Sequence, residues 1–243
     1  MLVIGFPKSG NTWFCYLLAY CLNVPYDNLA EPGQHPRDTW QRKLVKGGLS
    51  HTSHAGSIKD VLSTHEVSAL KDYAGEGATI CLVRDGRDVM VSYYHYISNF
   101  LVEEQKRGGA GKTDTNEPPD FTSFIKERCG EWKEHVEACL AESPDAILRY
   151  EDLHGAPEQT LKNIFQKLGT PVEGSVIEAA LDEFNFKKFS GRERGEADNT
   201  NFFRKGIVGD WKNTFEETDR EMFKQIAGEL LIKLGYETDS NWQ

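Results

Sequence analysis

The sequence predicts an α/β fold in a single domain, with a central parallel sheet flanked by helices and a P-loop-like loop after the first strand. Short apolar runs alternate along the chain with longer segments of helical periodicity, the pattern of a parallel sheet covered on both faces. A glycine-containing turn follows the first apolar run and precedes a helical segment. No internal repeat or interdomain linker interrupts the 243 residues. These observations favour one continuous domain.

The elements are predicted in chain order from the spacing of apolar residues. Strands are expected where compact apolar runs are bounded by polar or turn-forming residues. They are Leu2–Phe6, Asp60–Thr64, Ala78–Arg84 and Ala146–Arg149. Helices are expected where apolar residues recur every three or four positions. They are Thr12–Leu22, Asp88–Leu101, Phe121–Leu140, Pro157–Leu168 and Glu217–Leu234.

Three polar segments do not fit this scaffold: Ala30–Ser57, Glu103–Asp120 and Ser190–Asn201. Long loops on a compact α/β domain are usually either binding lids or disordered. The sequence alone leaves both alternatives open.

Composition and charge exclude several classes of protein. The formal net charge of −10 argues against a general nucleic-acid binder or a membrane-surface protein. No stretch approaches the roughly 20 apolar residues that span a bilayer, and no basic region precedes the first apolar run as in a signal peptide. The five cysteines are an odd number with no Cys-x-x-Cys pair, which favours reduced core residues over a zinc site. We therefore expect a cytoplasmic protein.

The strongest local signal is the segment from Gly5 to Trp13, which reads GFPKSGNTW. A loop between a strand and a helix directs backbone N–H groups at an anion, and the helix dipole favours negative charge there. The pattern matches the P-loop G-x-x-x-x-G-K-S/T except that Asn11 stands in the lysine position and Lys8 comes three residues earlier. This shift indicates an anion other than a nucleoside triphosphate and no metal. A helix-capping turn, a P-loop kinase or hydrolase, and a non-catalytic nucleotide-binding protein are the alternatives.

Two further segments carry cations in patterns typical of phosphate binding. The first reads RDGRDVMVSYYH from Arg84, which ends a predicted buried strand and would be costly there without an anionic partner. Ser92 follows about two helical turns later. A structural ion pair of Arg84 with Asp85 or Asp88 is the alternative. The second reads FRKGIVGDWKN from Phe203, and its adjacent cations followed by glycine suit a loop around a phosphate monoester.

These three segments, in this order, resemble the PAPS-dependent sulfotransferases of the cytosolic type. The family writes them as P-K-S/T-G-T/N-T-W, an arginine followed eight residues later by serine, and R-K-G-x-x-G-D-W-K-N. The resemblance implies one sulfotransferase domain over residues 1–243 and sulfuryl transfer from 3′-phosphoadenosine 5′-phosphosulfate (PAPS) to a hydroxyl or amine. The product nucleotide would be 3′-phosphoadenosine 5′-phosphate (PAP), and no metal is implied.

The resemblance also implies roles for individual residues. The 5′-phosphosulfate would be held by Lys8, Ser9, Gly10, Asn11 and Thr12. The adenine would be contacted by Trp13, by Tyr150 in the family's Y-E-D segment, and by Phe186 in a looser match. The 3′-phosphate would be bound by Arg84, Ser92, Arg204, Lys205 and Gly206.

The expected general base is His65, because Ser63-Thr64-His65 resembles the family's K-T-H segment. It follows a predicted strand, where ligands bind in open parallel sheets. The ordinary pKa of histidine, about 6.5, suits proton abstraction near neutral pH. The expected mechanism is in-line transfer, with Lys8 stabilising the transferring group. His51 and His54 are weaker candidates for the base.

The sequence departs from the family in two places. Ser63 replaces the lysine before T-H, so one cation expected near the transferring group is missing. Glu216 and Glu217 replace threonine and valine of the family's dimer motif, so the oligomeric state is undetermined.

The acceptor is predicted to be a small neutral or cationic alcohol, phenol or amine. No Lys/Arg-rich run offers a track for a polyanionic polymer. The segments Ala30–Ser57 and Glu103–Asp120 are expected to enclose the acceptor.

Overall fold

The computed structural model of the protein describes residues 1–29, 56–73, 75–106, 120–199 and 203–243, with the backbone alone at 100–106 and 189. The described chain divides into two compact units. The first comprises Met1–Arg84 and His135–Lys188, and the second comprises Asp85–Glu134 and Phe189–Gln243. The single domain over 1–243 stays a prediction.

The first unit contains a sheet whose paired strands are all parallel, in the order β2-β3-β1-β4-β5. The strands are β1 (Leu2–Ile4), β2 (Tyr26–Asn28), β3 (Val61–Thr64), β4 (Thr79–Val83) and β5 (Ala146–Arg149). The predicted parallel α/β sheet is confirmed, and each of the four predicted strands is present with ends no more than two residues from the expected ones.

Strand β2 was not predicted from the sequence. It is three residues long, reads Tyr-Asp-Asn, and pairs with β3 at one edge of the sheet. Only Tyr26 is buried, at 3% exposure. An edge strand this short and polar has no apolar run to reveal it.

The register of the strands aligns their carboxyl ends. Ile4 pairs with Thr64 on one side and with Cys81 on the other, and Val83 pairs with Arg149. The chain segments that follow β1, β3, β4 and β5 therefore leave from one edge of the sheet. Parallel α/β proteins bind their ligands at this edge.

Helices lie between and after these strands along the chain. Over the described residues they are α1 (Asn11–Leu22), α2 (Ala69–Tyr73), α3 (Gly86–Lys106), α4 (Phe121–Ala141), α5 (Tyr150–Gly155), α6 (Pro157–Lys167), α7 (Gly174–Glu183), α8 (Phe186–Ser190) and α9 (Glu217–Lys233), with a 3₁₀ turn at Asp210–Asn213. The five predicted helices are confirmed. Helix α3 runs to Lys106, so the segment expected as a loop from Glu103 begins as helix. The rest of that segment and most of Ala30–Ser57 lie outside the described residues.

The second unit is built around aromatic residues. Trp132 of α4 is fully buried, and its ring centroid lies 5.8 Å from that of Phe223 on α9. Phe223 also contacts Phe215, with ring centroids 6.0 Å apart. The start of α9 is fixed by a capping box between Glu216 and Asp219. Burial of such large rings contributes strongly to the stability of a protein core.

Two further expectations can be compared with the structure. All five cysteines are buried and none forms a disulfide, as predicted for core residues. Over the ranges that the structure describes, no helix has both the length and the apolar character needed to cross a membrane.

Replacement of Gly86 by alanine should destabilise the protein. An ideal Cβ at this first residue of α3 would lie 2.7 Å from three ring atoms of the buried Trp132. Overpacking of this kind typically costs about 1–3 kcal/mol, because a buried ring has little room to shift. Urea denaturation of Gly86→Ala should give a lower midpoint than the unmodified protein.

Gly130→Ala is the matched control. Gly130 lies inside α4, and a Cβ there would meet nothing within 4 Å. Alanine should stabilise that helix by about 0.5–1 kcal/mol relative to glycine. A Gly86→Ala midpoint equal to or above that of Gly130→Ala would contradict the proposed steric conflict.

Candidate functional site

The loop between β1 and α1 passes through two left-handed residues. Lys8 has φ of 69° and Gly10 has φ of 99°. An ideal Cβ at position 10 would lie 2.6 Å from Cδ2 of Tyr150, so the ring leaves no room for a side chain. Position 10 therefore requires glycine, both for its backbone conformation and for this close approach.

The first turn of α1 has features of an anion site. No acidic residue lies in that turn, and no side chain caps the helix at Gly10. Ser9 is 1% exposed, and its hydroxyl has no hydrogen-bond partner among the described residues. An unsatisfied buried hydroxyl is costly. An anionic ligand at the helix N-terminus would supply its missing acceptor.

His65 lies against the beginning of this loop. It comes directly after β3, and its Nδ1 is 2.6 Å from the carbonyl oxygen of Gly5. The Asn11 side-chain amide donates to the same carbonyl at 2.9 Å. The predicted base and the predicted phosphate loop are thus in direct contact. His51 and His54, the weaker candidates, lie outside the described residues.

Arg84 and Tyr150 follow neighbouring strands and support the loop. The Arg84 guanidinium donates to the carbonyl of Lys8 at 3.1 Å and lies over the Tyr150 ring, 4.5 Å from its centroid. Trp13 meets Tyr150 edge to face at 6.0 Å and donates to the carbonyl of Phe184 at 2.9 Å. The first unit therefore brings Lys8, Trp13, Arg84 and Tyr150 together.

The remaining predicted site residues of the first unit have surroundings that say less about a ligand. Phe186 is buried at the start of α8, and Thr12 is partly exposed in the first turn of α1. Ser63, which stands in the family's lysine position, is buried with its hydroxyl 2.9 Å from that of Tyr26. The serine at this position is therefore part of the packed interior.

His135 is a residue of the site that the sequence analysis missed. Its ring meets Phe6 edge to face at 5.5 Å. Burial, together with the electrostatic influence of His65, lowers its pKa to about 4. His135 is therefore neutral at physiological pH. Within the sequence it is one polar residue on an amphipathic helix, and nothing in its local pattern marks it.

The second unit holds Arg204 and Lys205 on one carboxylate. Both cations form ion pairs with Asp210, and the Lys205 Nζ lies 2.6 Å from its Oδ1. Burial alone would raise the pKa of Asp210, but hydrogen bonds from Lys205 and Arg204 lower it to about 2. The carboxyl of Asp88 accepts hydrogen bonds from the backbone N–H groups of Gly209 and Trp211 at 2.7 and 3.0 Å. Two buried acids therefore hold the loop from Arg204 to Trp211, one at each end of it.

The polar segment that begins at Ser190 is structured where it is described. Arg192 donates to the carbonyls of Phe203 and Arg204 at 2.6 and 2.9 Å. The backbone of Gly195 also donates to the carbonyl of Lys205 at 2.9 Å. This part of the expected loop supports the backbone that carries the two predicted phosphate-binding cations.

Ser92 and Gly206 also belong to the second unit. Gly206 has φ of 65°, a left-handed conformation that follows Lys205 directly. Ser92 lies on α3, three residues before His95. Burial, and to a smaller extent the nearby cation of Arg204, lower the pKa of His95.

Arg87 is a second residue that the sequence analysis missed. It is 2% exposed, pairs with Asp85 at 2.7 Å and with Glu237 at 2.5 Å, and stacks on Trp211 at 3.9 Å from the ring centroid. The sequence also allows a structural pair of this kind, with a neighbouring aspartate, for Arg84. Arg87 fills that role, because its side chain turns back to Asp85 and holds the C-terminal segment.

The predicted site residues thus fall into two groups. The first unit contains the phosphate loop, His65, Arg84, Trp13 and Tyr150, with Phe186 at the start of α8. The second contains Ser92, Arg204, Lys205 and Gly206.

Comparison with known families identifies the protein class. The family model described as "Sulfotransferase domain" matches residues 75–235, which is more than half of the chain. The chain belongs to the sulfotransferase family. The predicted class of enzyme, a PAPS-dependent sulfotransferase, is confirmed in preference to the P-loop kinase or hydrolase considered from the loop alone.

Curated relatives extend the likeness of this sulfotransferase beyond that range. It is 25% identical over 252 residues to sulfotransferase 1C2 of Homo sapiens, covering 93% of this chain and 81% of the relative. It is 28% identical over 267 residues to the flavonol 3-sulfotransferase of Flaveria bidentis, covering 95% and 80%. Both alignments span nearly the whole sulfotransferase chain.

The fold is similar to that of solved sulfotransferase structures. A mouse sulfotransferase crystallised in complex with PAP aligns with a TM-score of 0.64 at 19% identity. The alignment covers 95% of this chain and 83% of the mouse chain. This likeness confirms the sulfotransferase fold.

Replacement of Asp210 by asparagine should destabilise the sulfotransferase in a pH-dependent manner. The pKa of Asp210 is about 2 in the folded protein against a usual 3.8. A carboxyl with a lowered pKa contributes stability above its unfolded pKa and loses it as the pH falls through the folded value. The urea midpoint of Asp210→Asn should therefore lie below that of the unmodified protein at pH 7. The difference should narrow as the pH falls from about 4 towards 2.

Asp72→Asn is the control, because Asp72 is exposed on α2 and makes no ion pair within the described residues. Its urea midpoint should follow that of the unmodified protein throughout. A difference for Asp210→Asn that stays constant down to pH 3, or is absent at pH 7, would argue against the stabilising role of the Arg204–Asp210–Lys205 cluster.

Proposed function

We propose that this sulfotransferase moves a sulfuryl group from PAPS to a hydroxyl or amine of a small-molecule acceptor by in-line transfer. In this proposal His65 takes the proton of the acceptor, and Lys8 stabilises charge on the transferring group. The contact between His65 and the Gly5 carbonyl is the observation that supports it most directly. That contact fixes a potential base at the first residue of the anion-binding loop.

The residues of the loop suit a phosphosulfate. The Ser9 hydroxyl is buried without a partner among the described residues, and the first turn of α1 carries no acidic side chain. The anion would be surrounded by backbone N–H groups of the loop and by one cation, and the residues that provide them are Lys8, Ser9, Gly10, Asn11 and Thr12. PAPS, when bound, supplies an activated sulfuryl group whose leaving group is PAP.

His65 is suited to accept a proton through Nε2. Its Nδ1 is occupied by the Gly5 carbonyl at 2.6 Å, and within the described residues Nε2 makes no hydrogen bond. A base in this position removes the proton as the acceptor atom attacks sulfur, so that charge does not build up on that atom.

Lys8 is suited to stabilise the negative charge that develops in transfer. Its backbone is held by the hydrogen bond from Arg84 to its carbonyl at 3.1 Å. A fixed backbone limits the positions that its ammonium group can reach. A cation already in place when charge develops needs little reorganisation, which is the main advantage of preorganised groups.

The other parts of the nucleotide are assigned on the resemblance and on local geometry. We propose that Arg204, Lys205 and Gly206, with Ser92, bind the 3′-phosphate, because Asp210 holds both cations on one loop. The role of Arg84 at the same phosphate stays a prediction. Trp13, Tyr150 and Phe186 remain proposed contacts of the adenine.

The proposed acceptor is a small alcohol, phenol or amine. The net charge of −10 and the lack of a Lys/Arg-rich run disfavour a polyanionic polymer. The relative from Flaveria bidentis is named for a flavonol, which is a small phenolic molecule. A cytoplasmic location remains a prediction from the sequence.

A screen with sulfur-labelled PAPS tests the class of acceptor. Small phenols, alcohols and amines should become labelled, while heparan-like polymers should not, because a polyanion would meet an acidic surface. Mixtures without acceptor provide the background. Preferential labelling of the polymer would overturn the proposed acceptor class and leave the sulfotransferase assignment intact.

Replacement of His65 should strongly lower turnover and preserve nucleotide binding. We expect kcat of His65→Asn to fall by about 10²–10⁴-fold, the usual contribution of a general base. The asparagine amide can still donate to the Gly5 carbonyl, so the Kd of PAP, measured by calorimetry, should change little. His65→Ala removes both functions and serves as the comparison.

The assay should use a hydroxyl acceptor, since an amine of low pKa depends less on a base. Undiminished kcat in His65→Asn would remove His65 from the mechanism and direct attention to His51 and His54. Weakened PAP binding in His65→Ala alone would indicate that the Gly5 contact also maintains the shape of the loop.

A further inference from the structure

We propose that Asn11 is a positioning residue that holds His65 in a single tautomer, with the proton on Nδ1 and the lone pair on Nε2. The two side chains act through the carbonyl of Gly5, which both contact. This inference rests on the proposed function in so far as it takes His65 to be the base. The comparison with the P-loop does not suggest this role for the Asn11 side chain.

Three short distances define the arrangement. The Asn11 Nδ2 lies 2.9 Å from the Gly5 carbonyl oxygen, and the His65 Nδ1 lies 2.6 Å from the same oxygen. Nδ2 and Nδ1 are 3.3 Å apart. The two nitrogens therefore occupy neighbouring positions around one acceptor.

This geometry selects the tautomer of His65. A carbonyl oxygen only accepts hydrogen bonds, and it has two lone pairs for two donors. With the proton on Nε2, the Nδ1 lone pair would face the carbonyl lone pairs at 2.6 Å, which is repulsive. The proton must therefore lie on Nδ1, and the Nδ2···Nδ1 approach is a contact between two donors rather than a hydrogen bond. Nε2 is left with its lone pair, as a base requires.

The position of Asn11 is itself tightly determined. The residue is 7% exposed, and its Oδ1 would lie 2.4 Å from an ideal Cβ on Gly5. Asn11 can take this place only because position 5 is glycine. Its amide nitrogen must then face the carbonyl, because the opposite orientation would bring two oxygens together.

The amide also limits the ways in which the ring can move. Nδ2 fills one of the two acceptor directions of the Gly5 carbonyl, so the imidazole is confined to the other. Asparagine at the first residue of α1 thereby links the phosphate loop to the base. A lysine in this position, as in the P-loop, has a longer chain that reaches for phosphate and would leave this direction empty.

Nitrogen NMR of the protein labelled with ¹⁵N-histidine tests the proposal. At pH 8.5, where an ordinary imidazole is neutral, long-range ¹H–¹⁵N correlations distinguish the two tautomers, and the His65 signals are those lost in His65→Asn. The unmodified protein should have His65 protonated on Nδ1. In Asn11→Ala the imidazole is no longer confined to one acceptor direction of the Gly5 carbonyl, so the ring can turn away from that oxygen. This variant should therefore have a mixture of tautomers and a kcat lower by about five- to tenfold, as for loss of one hydrogen bond. The Kd of PAP should change by less than this factor.

Asn163→Ala is the matched control, because Asn163 also uses its side-chain amide in a hydrogen bond but is exposed on α6. It should leave the tautomer and kcat unchanged. Protonation on Nε2 in the unmodified protein would overturn the proposal, even if Asn11→Ala fails to fold. An unchanged tautomer in a folded Asn11→Ala would remove Asn11 from the role. The spectrum does not depend on activity, so failure of His65 as the base would appear separately, as full turnover in His65→Asn.

Discussion

The geometry of the phosphate loop depends on the absence of a side chain at Gly5. A Cβ there would lie 2.4 Å from the Asn11 Oδ1 and 2.7 Å from the carbonyl oxygen of Leu82. Glycine lets β1 end with bare backbone packed against β4 and against the start of α1. The Gly5 carbonyl can then accept hydrogen bonds from Asn11 and His65. A larger residue at position 5 would separate the phosphate loop from His65. One steric constraint therefore controls the shape of the loop and the position of the proposed base.

The parallel sheet explains why residues far apart in sequence lie near this carbonyl. Because the strands run in one direction and stay in register, the segments after β1, β3, β4 and β5 begin at the same edge. Gly5, His65, Arg84 and Tyr150 are the first residues beyond those strands. Strands of three to five residues are long enough for this purpose, since they only have to place the residues that follow them at one edge of the sheet.

The second unit holds its cations in place by local ion pairs with acidic side chains. Arg204 and Lys205 share the carboxylate of Asp210, and the carboxyl of Asp88 fixes the backbone that follows. Arg87 is neutralised by Asp85 and Glu237 and covered by Trp211. Ion pairing of this kind fixes the positions of the cations, because Arg204 and Lys205 share one buried carboxylate and Arg87 contacts two acids.

The sequence by itself determined the parallel α/β class, the long helices, the loop after β1 and the family, because apolar periodicity and contiguous motifs are local properties. It did not reveal β2, whose three residues lack an apolar run, or His135, which lies in no motif. Arg87 lies inside a quoted motif, but the motif does not indicate its pairing with the distant Glu237. The sequence also placed Asn11 only among the phosphate ligands. Its hydrogen bond to the Gly5 carbonyl and its approach to His65, 54 residues away, were decided by the tertiary structure. The register of β1 and β3 brings Asn11 close to His65, and the spacing of the two residues in the sequence does not indicate this.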